Sequence, residues 1–481
     1  MLCVVPLLLA GAFVLDTVAV RSSYTQTGRL TEVAAVCDAV NADDSAGNAD
    51  NASCDVVGTS AEGRSIFALR VGNTPSKPTV LVLAGIHAGE IDGKDASLFV
   101  LAELLNGTRK SDDVNLVFVP VYNVDGHERM GKNHRPNQRG PQEMGWRVTS
   151  SNLNLNRDWV KADAPETRAL LALINDIDPV VTIDLHVTDG AQFQHDIAVI
   201  VEPTADDGSN RLLAAAGKAL STSLQASLTA SKHLPLDFYP SFEVDDDPAS
   251  GIAVGVTPAR FTHGYAAKRG RLGVLVETHS WRPYRERVFA MVDLLHGFLA
   301  TAKTQTTSWN KAAKATDAAA LSLPGKAVVL GFETDLTTKS TFDFQGYAYT
   351  RTPSDISGGL WTRYDETTKQ VWKIPLWTTL KPTLSTTAPK AYAVLPGYAA
   401  DVVARLNAHH IRYWVLAADT AVIAERFKAD SVTFATAPYE ARMTAKPKGS
   451  WSTTKATMTM PRVTVHPLDR MTDPLTRAGV I

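Results

Sequence analysis

Cysteine is scarce. Cys3, Cys37 and Cys54 are the three in a chain of 481 residues, too few for a disulfide-built scaffold or a multi-cysteine zinc module. An excess of either charge is missing as well. Lys and Arg number 48 against 50 Asp and Glu, a formal net charge of −2. No global field therefore draws the chain to nucleic acid or to an anionic membrane, and neither is expected as a partner. Gly (31) and Pro (25) stay near average usage, which excludes collagen-like and low-complexity chains. The signatures His-Glu-x-x-His, Gly-x-Ser-x-Gly and Gly-x-x-x-x-Gly-Lys are absent, so the common zincin, serine-hydrolase and P-loop readings lack their motifs. What remains is an ordinary globular balance, 44% hydrophobic and 20% charged, in a length that suggests two to four domains.

The first 15 residues, MLCVVPLLLAGAFVL, carry no charge. They are too short to cross a bilayer well but suit the apolar core of a secretory signal, although the usual basic start is missing. Small-residue patterns end at Ala12 and Ala19. Residues 1–20 are therefore expected to be a signal segment, with the mature chain starting between about Gly11 and Arg21. The protein is then expected to be secreted or periplasmic, with no stable membrane insertion of the mature chain. The plainer alternative is a buried core segment. Removal of the signal takes Cys3 with it, and Cys37 and Cys54 remain as a pair that fits a disulfide in an oxidising compartment; the alternative is two unrelated buried thiols.

From about Pro78 short apolar runs alternate with helical patterns. PTVLVLAG, VNLVFVPVYN, DPVVTIDLH and RLGVLVETH read as buried strands, and the stretches between them as helices, one of which stops at Asn106-Gly107. Such alternation means an α/β domain with a largely parallel sheet covered on both faces. Residues 301–323 are rich in Thr, Ala and Lys and weakly patterned, and a boundary is expected there. The division is 21–305 for a catalytic domain and 306–481 for a linker and a β-rich accessory region. His409-His410 reads as exposed polar surface at a helix end.

Three strand candidates end in residues that buried strands do not need. TVLVLAG runs into His87 and Glu90, VVTIDL ends at His186, and GVLV ends at Glu277. In an open α/β sheet ligands gather outside the carboxyl ends of the strands. Two His and one carboxylate make a three-ligand zinc site with a position left for water, and a second carboxylate can serve as base. His-x-x-Glu alone is a weak signal, and a lone His is more often a hydrogen-bonded core or surface residue. The repeated placement at strand ends is what carries the reading.

IHAGEIDG, NLNLNRDW, TIDLHVTDG and LVETH occur in that order. Together they resemble the zinc carboxypeptidase family, the carboxypeptidase A-like metallopeptidases, over about residues 22–303 and not beyond. The resemblance implies a mixed, mostly parallel central sheet flanked by helices and one catalytic Zn²⁺ per chain. It implies His87, Glu90 and His186 as metal ligands and Glu277 as the base that activates zinc-bound water. Asn156 and Arg157 match the pair that grips a substrate's terminal carboxylate, so the implied partner is a peptide or peptide-like substrate with a free carboxylate. Arg147 is the best fit to an oxyanion-stabilising Arg, with Arg135 and Arg139 as rivals. Tyr265 is the candidate for a substrate-capping Tyr, with Tyr239 as its alternative, and either can instead be a half-buried packing residue. One position departs from the family pattern. Many relatives carry Asp two residues before the Asn of the Asn-Arg pair, where this chain has Asn154. An amide accepts a hydrogen bond without bringing charge, so the ligand imidazole is less polarised; Asp184 is a nearby carboxylate that can take that part.

The implied activity is release of a C-terminal residue by zinc-dependent hydrolysis. A cell-wall peptide amidase or an N-acyl-amino-acid deacylase would use the same zinc centre, and a non-catalytic binding module would keep only the fold. The acidic stretch Glu243 to Asp247 is either a site for basic side chains or a solvated loop.

Overall fold

The computed structural model describes residues 8–9, 12–13, 16–42, 52–204, 211–245, 247–415, 420–458 and 463–465. Most of the expected signal segment lies outside them. At its heart is an eight-stranded sheet built from β1 (Ser53–Thr59), β2 (Ser65–Val71), β3 (Thr79–Ala84), β4 (Asn115–Val119), β5 (Val181–Val187), β6 (Ile197–Glu202), β7 (Pro235–Leu236) and β9 (Leu272–Thr278), numbered with the short β8 (Ile252–Ala253) that lies outside it. The spatial order is β1-β2-β4-β3-β5-β9-β6-β7. The central run β4-β3-β5-β9 is parallel, while β1, β2 and β6 pair antiparallel with their inner neighbours. The expected mixed, mostly parallel sheet is what forms. Every residue of β4, β5, β6 and β9 is buried, as strands covered on both faces require.

Helices cover the two faces. They are α1 (Leu30–Ala42), α2 (Asp92–Leu105), α3 (Val124–Glu128), α4 (Pro165–Ile177), α5 (Arg211–Ala230), α6 (Thr262–Lys268) and α7 (Tyr284–Ala320). Two glycines let helices lie directly on strands. A Cβ on Gly93 of α2 would stand 2.6 Å from Leu185 Cβ, and one on Gly273 of β9 would stand 2.2 Å from the carbonyl oxygen of His263 in α6. Cys37 of α1 and Cys54 of β1 are joined by a disulfide, tying the first helix to the sheet edge.

Two features of the chain differ from the expectation. Residues 301–320 are not a linker, because α7 continues through them to Ala320 with Thr301, Trp309, Ala312 and Thr316 buried. The Thr-rich composition hides a helical stripe made of small residues and a single Trp, which apolar counting passes over. The expected boundary at 305 falls inside this helix, and the strands of the C-terminal region begin with β10 (Ala327–Thr334), followed by β11 (Ser340–Pro353), β12 (Leu360–Trp377) and β13 (Leu380–Thr387). His409 is buried rather than exposed, 2% accessible. It lies at the end of α8 (Pro396–Ala408), where its Nδ1 pairs with the Tyr265 hydroxyl at 2.9 Å and its Nε2 with the Val160 carbonyl at 3.0 Å. Among the described residues no helix is long and apolar enough to cross a membrane.

A buried guanidinium holds the loops around the carboxyl ends of the strands. Arg287 of α7 donates from Nε and Nη2 to Asp92 at 2.7 and 3.1 Å. Its remaining N–H groups reach the carbonyls of Arg139, Gly140, Ser280 and Arg282 at 2.7–3.2 Å. Both side chains of the pair are fully buried. Arg287→Met leaves Asp92 as an uncompensated buried charge and is expected to cost about 3–5 kcal/mol. Adding Asp92→Asn should recover part of that loss. Urea unfolding of the three proteins checks this; a single-variant loss below ~1 kcal/mol would show that the cage is dispensable.

Candidate metal centre and active site

β3, β5 and β9 are neighbours in the sheet and run the same way, so their carboxyl ends form one row. His87 follows β3, in a turn closed by the Glu90 N–H on the His87 carbonyl at 2.8 Å. That turn places Glu90 just ahead of α2. His186 lies near the end of β5 and is in register with Glu277 of β9. His87, Glu90, His186 and Glu277 are 4%, 2%, 1% and 6% accessible. Buried, chargeable side chains at such density are costly unless they answer one another or a metal ion.

The donor atoms of His87, Glu90 and His186 lie within 4.8 Å of one another. His87 Nδ1 faces Glu90 Oε1 at 3.1 Å and His186 Nδ1 faces Glu90 Oε2 at 2.9 Å. The far nitrogen of each imidazole is held as well. His87 Nε2 is 3.1 Å from Asn154 Oδ1, and His186 Nε2 is 2.9 Å from Asp184 Oδ2. The Asn154 amide is pinned by the Asn156 N–H, which donates to the same oxygen at 3.1 Å. Asn154 thus accepts the His87 ring proton, while Asp184, two residues before His186 on the same strand face, supplies charge to the other imidazole rather than to His87. Both Nδ1 atoms are left pointing at one spot, the arrangement a metal ion needs.

Electrostatics separates the two histidines. Burial pushes His87 down to about 4, against the pull of Glu90. Burial acts the same way on His186, but Asp184, Glu90 and Glu277 outweigh it and hold this imidazole well above its ordinary value. Glu90 stays ionised despite burial because Arg135 and the two imidazoles surround it. Two nitrogen donors and one carboxylate, buried, convergent and backed by hydrogen-bond acceptors, fit a zinc ion with room for a further ligand. His87 Nδ1 and Glu277 Oε2 are buried and make no hydrogen bond, as expected of atoms directed at a metal site.

The flanking candidates sort by position. Arg135 Nη2 and Arg147 Nη1 both reach Glu90 Oε1, at 2.8 and 3.0 Å. Arg135 is buried, while the Arg147 side chain is 37% accessible. Arg139 turns away to pair with Glu366 and cover Trp281. Asn156 Oδ1 accepts from the Thr262 backbone N–H at 3.1 Å. Arg157 is half-buried, donates to the Asn156 carbonyl at 2.7 Å and lies 4.0 Å above the Phe261 ring. It forms no ion pair among the described residues, and Asp158 is taken up by the backbone N–H groups of Asp163 and Ala164.

Tyr265 is not at the site. It lies 1% accessible in the main core, beside Trp159, with its hydroxyl on His409; α6 turns it inward, because Gly273 draws the helix onto the sheet. Tyr239 is the phenol that comes near, donating to Asp189 Oδ2 at 3.0 Å, with the charges of Glu277 and Glu90 acting on it. Thr262 and Phe261, which hold the Asn-Arg pair, carried no signal in the sequence.

Residues 42–241 match the description of zinc carboxypeptidases. Rat (Rattus norvegicus) carboxypeptidase B is 27% identical over 156 residues, which cover 30% of this chain and 36% of the rat protein. A Saccharomyces cerevisiae protein named inactive metallocarboxypeptidase is 31% identical over 124 residues, 22% of this chain and 28% of its own. The chain thus spans about a third of the length of these curated relatives. A metallo-carboxypeptidase from Burkholderia cenocepacia superposes with a TM-score of 0.41 at 17% identity, covering 57% of this chain and 69% of the other. Through its matched region the chain is thus similar to the zinc carboxypeptidase family, and the metal of that family, zinc, is one that the His87, Glu90 and His186 donor set fits. Glu277 lies beyond the matched stretch, brought to the site by strand order rather than by sequence proximity.

Zinc and protons compete for His186. In protein stripped with a chelator the raised proton affinity of His186 should keep it protonated near neutral pH, whereas Glu90 should already be ionised and His87 neutral. Zinc uptake at pH 7 should release about one proton, and affinity should rise with pH until His186 loses its proton. Calorimetric titration in buffers of different ionisation heat measures that proton. Uptake without proton release at pH 7 would refute the assignment of His186.

Proposed function

We propose that this chain is a zinc-dependent metallocarboxypeptidase that hydrolyses the C-terminal amide bond of a peptide or peptide-like substrate. The observation that carries the reading is Glu277, a buried carboxylate with an unpaired oxygen, in register with His186 yet outside the three-donor cluster. Bound at that cluster, zinc supplies Lewis acidity and lowers the pKa of a coordinated water.

The protein's own groups do the rest. Burial, reinforced by Glu90, Asp189 and Asp184 and opposed by His186, raises the proton affinity of Glu277 well above that of an ordinary carboxylate. A carboxylate so tuned takes a proton from the attacking water and hands it to the leaving nitrogen as the amide bond breaks. Arg147, the more accessible of the two guanidiniums on Glu90, turns to the oxyanion, and buried Arg135 keeps Glu90 ionised. Arg157 offers a planar fork to the terminal carboxylate, and Asn156 adds its amide N–H, since its oxygen is already occupied by Thr262. Tyr239 takes the place expected of Tyr265 at the edge of the site.

Export of the protein to an oxidising compartment is part of this proposal and is supported by the Cys37–Cys54 disulfide. One relative's name says that it is inactive, and the presence of His87, Glu90, His186 and Glu277 together speaks for activity here. Peptides with a free C-terminus, their C-terminal amides, muropeptides and acylated amino acids, assayed side by side, separate the peptidase from the amidase and deacylase alternatives.

Glu277→Gln keeps the shape and removes the base. It is expected to lower kcat by at least ~10²–10⁴-fold while zinc content stays the same. Arg157→Ala should lose efficiency chiefly through a higher KM. Loss of zinc from Glu277→Gln, measured by metal analysis, would make Glu277 a ligand; near-normal kcat would place the base elsewhere.

A further inference from the structure

The hairpin of β11 and β12, from the C-terminal region, does not stand apart from the site. Its aromatic residues enter a second hydrophobic core with Phe193, Leu236, Phe238 and Leu275 of the catalytic sheet and its loops. Phe344 is fully buried, stacked on Trp372 at 5.6 Å and edge-on to Phe193 at 5.4 Å. Phe193 in turn stacks on His279 at 4.0 Å, two residues past Glu277.

Hydrogen bonds of the main chain, to backbone and to one imidazole, join the same parts. Gln194 N–H donates to the Gln345 carbonyl at 2.8 Å, and Gln345 N–H donates back to His195 Nε2 at 3.2 Å. β8 pairs parallel with the end of β12, Ile252 opposite Leu376. The hairpin therefore holds residues 194 and 195, in the segment after His186, and residues 252–254, beyond Tyr239. The Tyr239 ring packs against this aromatic core, and its hydroxyl ends on Asp189 of the first loop.

We infer that the β11–β12 hairpin is a working wall of the substrate cleft, and that Phe344 and Trp372 are positioning residues for Tyr239. A tethered module would touch the catalytic sheet through side chains at its surface. Here a main-chain bond, a backbone-to-His195 bond and the pairing of β8 with β12 join the parts, and the shared core is sealed by an aromatic stack, so a shift of the hairpin carries Tyr239 and Asp189 with it. Two of the candidate metal donors, His87 and Glu90, lie in the turn between β3 and α2, and the third, His186, lies on β5; none belongs to this second core, so zinc binding is independent of the hairpin.

The inference rests on the peptidase reading, and its test keeps the two apart. In the full-length chain, Trp372→Ala is expected to lower kcat/KM for peptides by about 10- to 100-fold, the scale of a small misplacement in an active site. Zinc affinity should not change, and Trp372→Phe should restore most of the activity. In a Tyr239→Ala background the same Trp372→Ala change should cost less than about twofold, because residues acting through one another are not additive. Phe344→Leu, which keeps apolar bulk and loses the stack, repeats the cycle if Trp372→Ala does not fold. An equal loss in both backgrounds, a loss of zinc, or no loss at all would overturn the inference. If the parent protein cleaves no peptide, the peptidase reading falls. Calorimetric binding of a peptide with a free C-terminus to the same variants then decides the hairpin's role by the same non-additivity.

Discussion

One buried carboxylate organises the site. Glu90 is 2% accessible and is approached by both imidazoles, by Arg135 and Arg147, and by the Val187 backbone N–H at 3.3 Å. Taking that charge out of water is affordable only because so many donors converge on it. The same convergence defines where a divalent cation is best stabilised. On the proposed reading, zinc held by His87, Glu90 and His186 would compete with the two guanidiniums for Glu90 and would leave Arg147 available to a substrate. The metal and the proposed oxyanion-binding group would then be linked through one side chain.

The row that brings these groups together is a consequence of strand order. β3, β5 and β9 are adjacent and parallel, so residues nearly two hundred positions apart, from His87 to Glu277, meet at one edge. Buried parallel strands are apolar throughout, and a His or Glu at their carboxyl ends stands out against that background. For this reason the fold class, and the gathering of these four candidate residues at one edge, were legible from the sequence. Asn154 was legible too, as a neutral residue in a charged position, and the structure shows it against His87 with Asp184 placed against His186.

What could not be read depended on the packing of short or weakly patterned segments. Tyr265 and Tyr239 look alike in sequence; the close approach of α6 to Gly273 decides which of them is turned into the core. The helix through residues 301–320 escaped because alanines and threonines bury a face without apolar periodicity. His409 looked like surface because its partners, Tyr265 and Val160, come from segments more than 140 residues away. The hairpin beyond Ser340 carries no chemical motif, and its relation to Tyr239 exists only in three dimensions.

The most direct test of the account is the identity of the zinc ligands. X-ray absorption at the zinc edge, with anomalous diffraction from a crystal of the zinc-loaded protein, reads them without recourse to activity. The account predicts two imidazoles bound through Nδ1 at ~2.0–2.1 Å and one carboxylate oxygen from Glu90 at ~2.0–2.2 Å, with Glu277 outside bonding distance. Zinc bound to Glu277 in place of Glu90, or to a single imidazole, would contradict it.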